Sequence, residues 1–137
     1  MLNQKSKANS LVKYLPTIVG VLLGLLFIAS GVVVLFKLVP IPPLPEGTPA
    51  AMFMGAFVPT GYLAFIKALE IAGGVLIAIP RTRNFGLLIL GPIVVNILAF
   101  HIFITKGTGL FDPPLVVVLL TGYLLWVGRK AFLDLLN

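Results

Sequence analysis

Apolar blocks separated by short polar or proline-rich breaks run along this chain. The first block, Leu15–Val39, is closed by Lys37 and by Pro40-Ile-Pro-Pro-Leu-Pro45. Proline fixes φ and carries no amide hydrogen, so that stretch is an extended loop. A shorter run over 48–58, rich in Met, Phe and Ala, is too brief to cross a bilayer and is broken by Pro59. It reads as an interfacial or re-entrant helix capping the bundle. The second long block, Thr60–Ile79, ends at Pro80, and the short hairpin Pro80–Asn84 forces the third, Phe85–Thr105, to run antiparallel beside it. After a loop over 106–114, the fourth block runs from Leu115 past Val127 to Lys130. A transmembrane helix uses about 20 residues. The pattern therefore predicts an all-α integral membrane protein, one domain over residues 1–137. Its expected architecture is a four-transmembrane-helix bundle with spans at about 15–39, 60–79, 85–105 and 115–130 and an interfacial helix at about 48–58.

Composition agrees with that pattern. Of 137 residues, 59% are hydrophobic and 10% charged, with a mean hydropathy of +1.13. A soluble domain carries about 25% charged residues to cover its surface, so the outside of this bundle is expected to face lipid. Four spans nearly exhaust the chain, leaving no expected room for a soluble catalytic or nucleic-acid-binding domain. The first block exceeds the roughly 7–15 apolar residues of a signal peptide and precedes no small-x-small cleavage site, so it reads as an uncleaved span. The net charge of +6 comes from basic residues at block ends, as expected for loops on the cytoplasmic side. Lys5, Lys7, Lys13, Arg81, Arg83, Arg129 and Lys130 fall on one side and only Lys37 and Lys106 on the other. Both termini are then expected in the cytoplasm; the expected partners are the bilayer and other membrane subunits, with no nucleic acid. The chain has no cysteine, which removes dithiol chemistry and iron–sulfur ligation by its own residues.

Small residues four apart let membrane helices approach closely. Gly20 and Gly24, the series Ala64, Ala68 and Ala72, and Gly86 and Gly91 are expected to serve contacts within the bundle, with a homodimer face as the alternative.

Ionisable residues inside a membrane are costly and mark candidate sites. Lys67 and Glu70 lie three apart in the second block, so they share a helix face and can pair. Counted from the hairpin, Glu70 lies roughly 14 Å deep and Lys67 roughly 18 Å. On the third block Asn96 lies at roughly 18 Å and His101 at roughly 26 Å, with Tyr62 near the His101 level. Asn96 and His101, five residues apart, are separated by about 140° on a straight helix. The cluster has two readings. It is a ligand or proton site, with Glu70 and Lys67 as relay and Tyr62, Asn96 and His101 as contacts, or it is an interior latch that fixes helix register. One histidine cannot supply a bis-histidine haem, and the four scattered acids form no metal-ligand set.

Three segments resemble the DoxX-like family of small four-helix bacterial and archaeal membrane proteins. These are Gly24-Leu-Leu-Phe27-Ile-Ala-Ser30-Gly31; Thr60-Gly-Tyr62 followed by Lys67-Ala-Leu-Glu70-Ile-Ala-Gly73-Gly74; and Gly91-Pro92-Ile-Val-Val-Asn96 with Phe100-His101. They occur in the family's order over most of the chain. One departure is that Val32–Phe36 intervene before Lys37, where the family carries a lysine soon after the first-span glycine. The resemblance implies an inner-membrane accessory subunit of a quinone-linked respiratory or redox complex, contributing a quinone-binding or proton-relay site. Quinone would be the only cofactor, with no catalytic group beyond that site. A purely structural or assembly subunit is the alternative, and a small oligomeric transporter a third.

Overall fold

The computed structural model describes residues 2–137. Six α-helices follow one another: α1 (Leu2–Leu35), α2 (Pro49–Phe57), α3 (Tyr62–Ala78), α4 (Arg83–Ala99), α5 (Pro113–Val127) and α6 (Arg129–Asp134). A π-helical segment, Phe100–Ile104, prolongs α4 without a break. No strand occurs among the described residues.

α1, α3, α4 and α5 form a closed ring in which α1 packs on α3, α3 on α4, α4 on α5 and α5 back on α1. Leu23 from α1, Ile77 from α3, Leu87 and Leu90 from α4 and Leu124 from α5 fill its interior. The outer surface is equally apolar, with Leu22, Leu25, Phe65, Val75, Leu88, Val95 and Leu119 all exposed. A helix hydrophobic on every side belongs in a large core or in lipid. Two helices are long and apolar enough to cross a membrane, Asn3–Leu35 and Arg83–Ile104, and a third qualifies if α2 and α3, bent by 80° at their junction, count as one. α5, with 15 residues, is shorter.

The tightest seam is between α1 and α3. A Cβ on Gly24 would lie 2.5 Å from the Gly74 carbonyl oxygen, and one on Gly20 would lie 2.9 Å from that of Ile77. Gly86 of α4 sits equally close to α3, where its Cβ would be 2.8 Å from the Gly73 carbonyl oxygen. Contacts within the bundle thus account for Gly20, Gly24 and Gly86. The Ala64, Ala68 and Ala72 series does not share this role. All three are exposed, and Gly73 and Gly74 supply the buried small residues of α3 instead. Gly91 likewise faces open space.

Helix ends differ from the expected block ends for local reasons. α1 stops at Leu35 rather than Val39 because Lys37 adopts φ 51° and the Leu38 amide donates to the Val33 carbonyl at 3.0 Å. That is a Schellman closure, which spends the last carbonyls before Pro40 is reached. α5 does not continue through Arg129 and Lys130. It breaks at Gly128, and a separate short helix restarts at Arg129. A Cβ at Gly128 would meet the Asn84 side chain at 2.8 Å, so this corner seats against the α3–α4 hairpin. α2 forms where a short helix was expected because Thr48 caps it, accepting from the Ala51 amide at 3.2 Å, and Pro49 opens its first turn. The α3–α4 turn is closed by the Thr82 hydroxyl, which donates to the Leu76 carbonyl at 2.8 Å.

Candidate functional site

Gly31, on the buried stripe of α1, brings that helix against α3 at the level of Lys67; a Cβ there would lie 2.9 Å from the Lys67 carbonyl oxygen. This approach puts Ser30 within reach of the lysine. The Lys67 ammonium donates to Ser30 Oγ at 2.9 Å and to Glu70 Oε2 and Oε1 at 2.9 and 3.1 Å. The ammonium is thus bonded both to a carboxylate of its own helix and to a hydroxyl of α1. The Glu70 side chain is 4% exposed and that of Lys67 16%. A buried charge persists when it is paired and hydrogen-bonded, and each charge here is the other's counter-ion. Ser30 was not singled out from sequence as a site residue. Its signal is positional: the buried α1 positions Leu23, Phe27 and Gly31 recur at helical spacing, and Ser30 is the hydroxyl that flanks that stripe.

The ion pair lies at the wall of a cavity of about 620 Å³, within the range of roughly 300–1,000 Å³ of small-molecule sites. Tyr62, Lys67, Glu70, Asn96 and His101 all line it. The structure therefore gathers every candidate residue around one space, but it does not link them all by hydrogen bonds. Lys67 and Glu70 touch; the side chains of Asn96 and Tyr62 bond to neither, and Asn96 is exposed to the cavity and the surface.

His101 enters the π-helical segment at its second residue. A π turn is wider than an α turn and often marks a functional site, and here it lessens the angular separation between Asn96 and His101. The His101 Nδ1 lies 2.8 Å from the Ile97 carbonyl oxygen. A carbonyl only accepts, so Nδ1 carries the hydrogen and Nε2 remains available. The segment is closed at its end by the Thr105 hydroxyl, donating to the His101 carbonyl at 3.0 Å.

Aromatic rings from α2 form the outer wall. Phe53 and Phe57 stack with centroids 4.2 Å apart, Phe57 meets Tyr62 edge-on at 4.6 Å, Phe53 leans on Phe100 at 5.1 Å and Phe100 meets His101 edge-on at 5.4 Å. A continuous ring chain thus runs across the cavity from Tyr62 to His101. Aromatic pairs at such separations attract one another beyond the area they bury. Sequence reasoning placed α2 over the bundle but missed this wall; the pairing of Phe53 with Phe100 joins residues from opposite halves of the chain. Among the described residues no three His, Cys, Asp or Glu side chains converge, so the cavity's donor set is one of hydrogen-bonding groups and rings.

No protein family, curated protein or solved structure matches the chain. The fold and site alone define it as an all-helical protein with two or three helices able to cross a membrane and a polar-floored apolar cavity between them.

Proposed function

We propose that this chain is a DoxX-like, four-span protein of a bacterial or archaeal cytoplasmic membrane, and that its cavity holds a quinone head group within a larger redox assembly. The observation that carries the reading is the buried Lys67–Glu70 pair at the floor of an aromatic-walled cavity. Four spans require α3 and α5, about 26 and 23 Å long at 1.5 Å per residue, to serve a hydrocarbon core of about 30 Å. α2 at one end and α6 at the other prolong these helices along the interfaces. Basic residues support both termini on the cytoplasmic side: Lys5, Lys7, Lys13, Arg81, Arg83, Arg129 and Lys130 lie at one end of the helix ring.

Quinone reduction supplies the chemistry of taking up electrons and protons together. In this chain Glu70 is the group able to hold or pass a proton at its carboxylate. Lys67 fixes that carboxylate and balances its charge, and Ser30 anchors the ammonium to α1. Phe53, Phe57 and Phe100 exclude water from the head-group volume. Electrons come from a partner subunit, since the chain carries no cysteine and a single histidine. The Lys67–Ser30 bond, which ties α3 to α1, also favours a second reading, an assembly subunit whose polar group only holds helices in register.

Affinity purification from native membranes in mild detergent, with mass spectrometry of the co-eluting proteins, tests the first reading. A redox enzyme should co-elute in stoichiometric amount, and Glu70→Gln should lower quinone turnover of an otherwise intact assembly. Unchanged turnover in that variant would remove the quinone role, and loss of assembly without a separate turnover defect would favour the second reading.

A further inference from the structure

We propose that the cavity selects an uncharged ligand, a flat oxygen-bearing ring on an apolar tail, and that Asn96 and Tyr62 donate to its oxygens, with His101 Nε2 free to accept from a hydroxyl, above a paired, charge-neutral Lys67–Glu70–Ser30 floor. This rests on the reading of the cavity as a ligand site, but not on redox chemistry there.

The argument is one of hydrogen-bonding capacity. The Lys67 ammonium already bonds to the Glu70 carboxylate and to Ser30 Oγ, so its charge is balanced before any ligand arrives. Glu70 is buried beneath that ammonium and already has its counter-charge. An acidic ligand would find no free cation in the floor, and a cationic one no free carboxylate. Bringing a further unpaired charge into this low-dielectric space is strongly unfavourable. The groups with capacity to spare lie higher on the wall. The Asn96 amide and the Tyr62 hydroxyl have no side-chain hydrogen bond among the described residues, and His101 retains Nε2 because Nδ1 is tied to the Ile97 carbonyl. The amide and the phenol can donate to a carbonyl oxygen, whereas Nε2 of the Nδ1–H imidazole only accepts and so suits a ligand hydroxyl. The Phe53–Phe57 stack supplies the flat apolar face against which a ring can lie.

The test uses the full chain in lipid nanodiscs with three probes sharing a ten-carbon tail: decylubiquinone, 4-decylacetophenone and 4-decylbenzoate, titrated by calorimetry. The acetophenone is an uncharged ring ketone outside quinone redox chemistry. It should bind with an affinity similar to that of decylubiquinone, and at least about 100-fold more tightly than the benzoate, the discrimination expected when a charge is buried unpaired. Asn96→Leu and Tyr62→Phe should each weaken acetophenone binding by about three- to tenfold, the loss of one neutral hydrogen bond. Glu70→Gln should change the selectivity, because its amide leaves the ammonium without a counter-charge; benzoate binding should then rise at least about tenfold. Gly91→Ala, which meets nothing within 4 Å and does not line the cavity, should retain acetophenone binding and serves as the control. Equal binding of benzoate and acetophenone by the wild type would overturn the proposal, as would undiminished binding in both Asn96→Leu and Tyr62→Phe. Failure of either neutral probe to bind would also overturn it. Acetophenone binding with no quinone turnover in the native assembly would remove the redox reading and leave this one standing.

Discussion

Whether Glu70 and Lys67 act as a latch or as a site group is decided by where their bond is lost when the bundle comes apart. They are three residues apart on α3, with Nζ–Oε distances of 2.9 and 3.1 Å. Membrane helices separate while remaining helical, so this pair survives separation of α1 from α3 and adds little to bundle stability. The tertiary share is the single Lys67–Ser30 bond at 2.9 Å. Hydrogen bonds between membrane helices contribute about 0.6 kcal/mol on average and at most about 1.7 kcal/mol. Ser30→Ala should therefore destabilise the bundle by about 0.6 kcal/mol, close to a threefold change in the folding equilibrium. Glu70→Gln keeps an oxygen acceptor for Lys67, whose side chain is 16% exposed. Its cost should stay below about 1.7 kcal/mol. A pair formed only in the assembled bundle would instead lose about 3–5 kcal/mol when one partner is removed. Equilibrium unfolding of the purified protein in mixed micelles, driven by SDS and followed by near-UV circular dichroism, separates the two ranges. A loss above about 3 kcal/mol for Glu70→Gln would refute the reasoning and make the pair a tertiary latch.

Three further outcomes follow from other parts of the fold. Gly24→Ala puts a methyl 2.5 Å from the Gly74 carbonyl oxygen and should cost about 1–3 kcal/mol by overpacking. Gly91→Ala, which meets nothing within 4 Å, should be neutral or stabilise by up to about 1 kcal/mol; the same unfolding titration reads both, and equal effects would contradict the seam. Because the chain has no cysteine, single cysteines at Arg81 and Thr108 should react with a membrane-impermeant maleimide from opposite sides of sealed vesicles; labelling from one side would refute the four-span arrangement. Phe53→Ala removes the ring that joins Phe57 to Phe100 and should weaken binding of an uncharged ring ligand by about 0.5–1.5 kcal/mol. Titration calorimetry checks this, and an unchanged Kd would show that α2 does not form a binding wall.

Much of this protein follows from the chain alone, because a bilayer imposes its own rules on sequence. Long apolar blocks and their proline and glycine breaks locate the apolar helices, and a Lys–Glu spacing of three already implies an ion pair on one face, whereas only two or three of those helices are long and apolar enough to cross a membrane. Where α1 ends was less legible, because a left-handed Lys37 and a Schellman closure act before the prolines do. The split of α5 from α6 at Gly128 depends on the Asn84 side chain, which belongs to a distant hairpin. The alanines of α3 have the spacing of a packing stripe, yet they face outward. Which stripe of an all-apolar helix turns inward is settled by backbone approach at Gly24, Gly31 and Gly74 rather than by hydropathy. The same holds for the site. Sequence identified Lys67, Glu70, Asn96, His101 and Tyr62 as the polar groups of the interior. Only the tertiary structure decided that one cavity gathers them, that Ser30 accepts from Lys67 and that Phe53 and Phe100 close the wall, since each of these contacts joins residues on helices far apart in the chain.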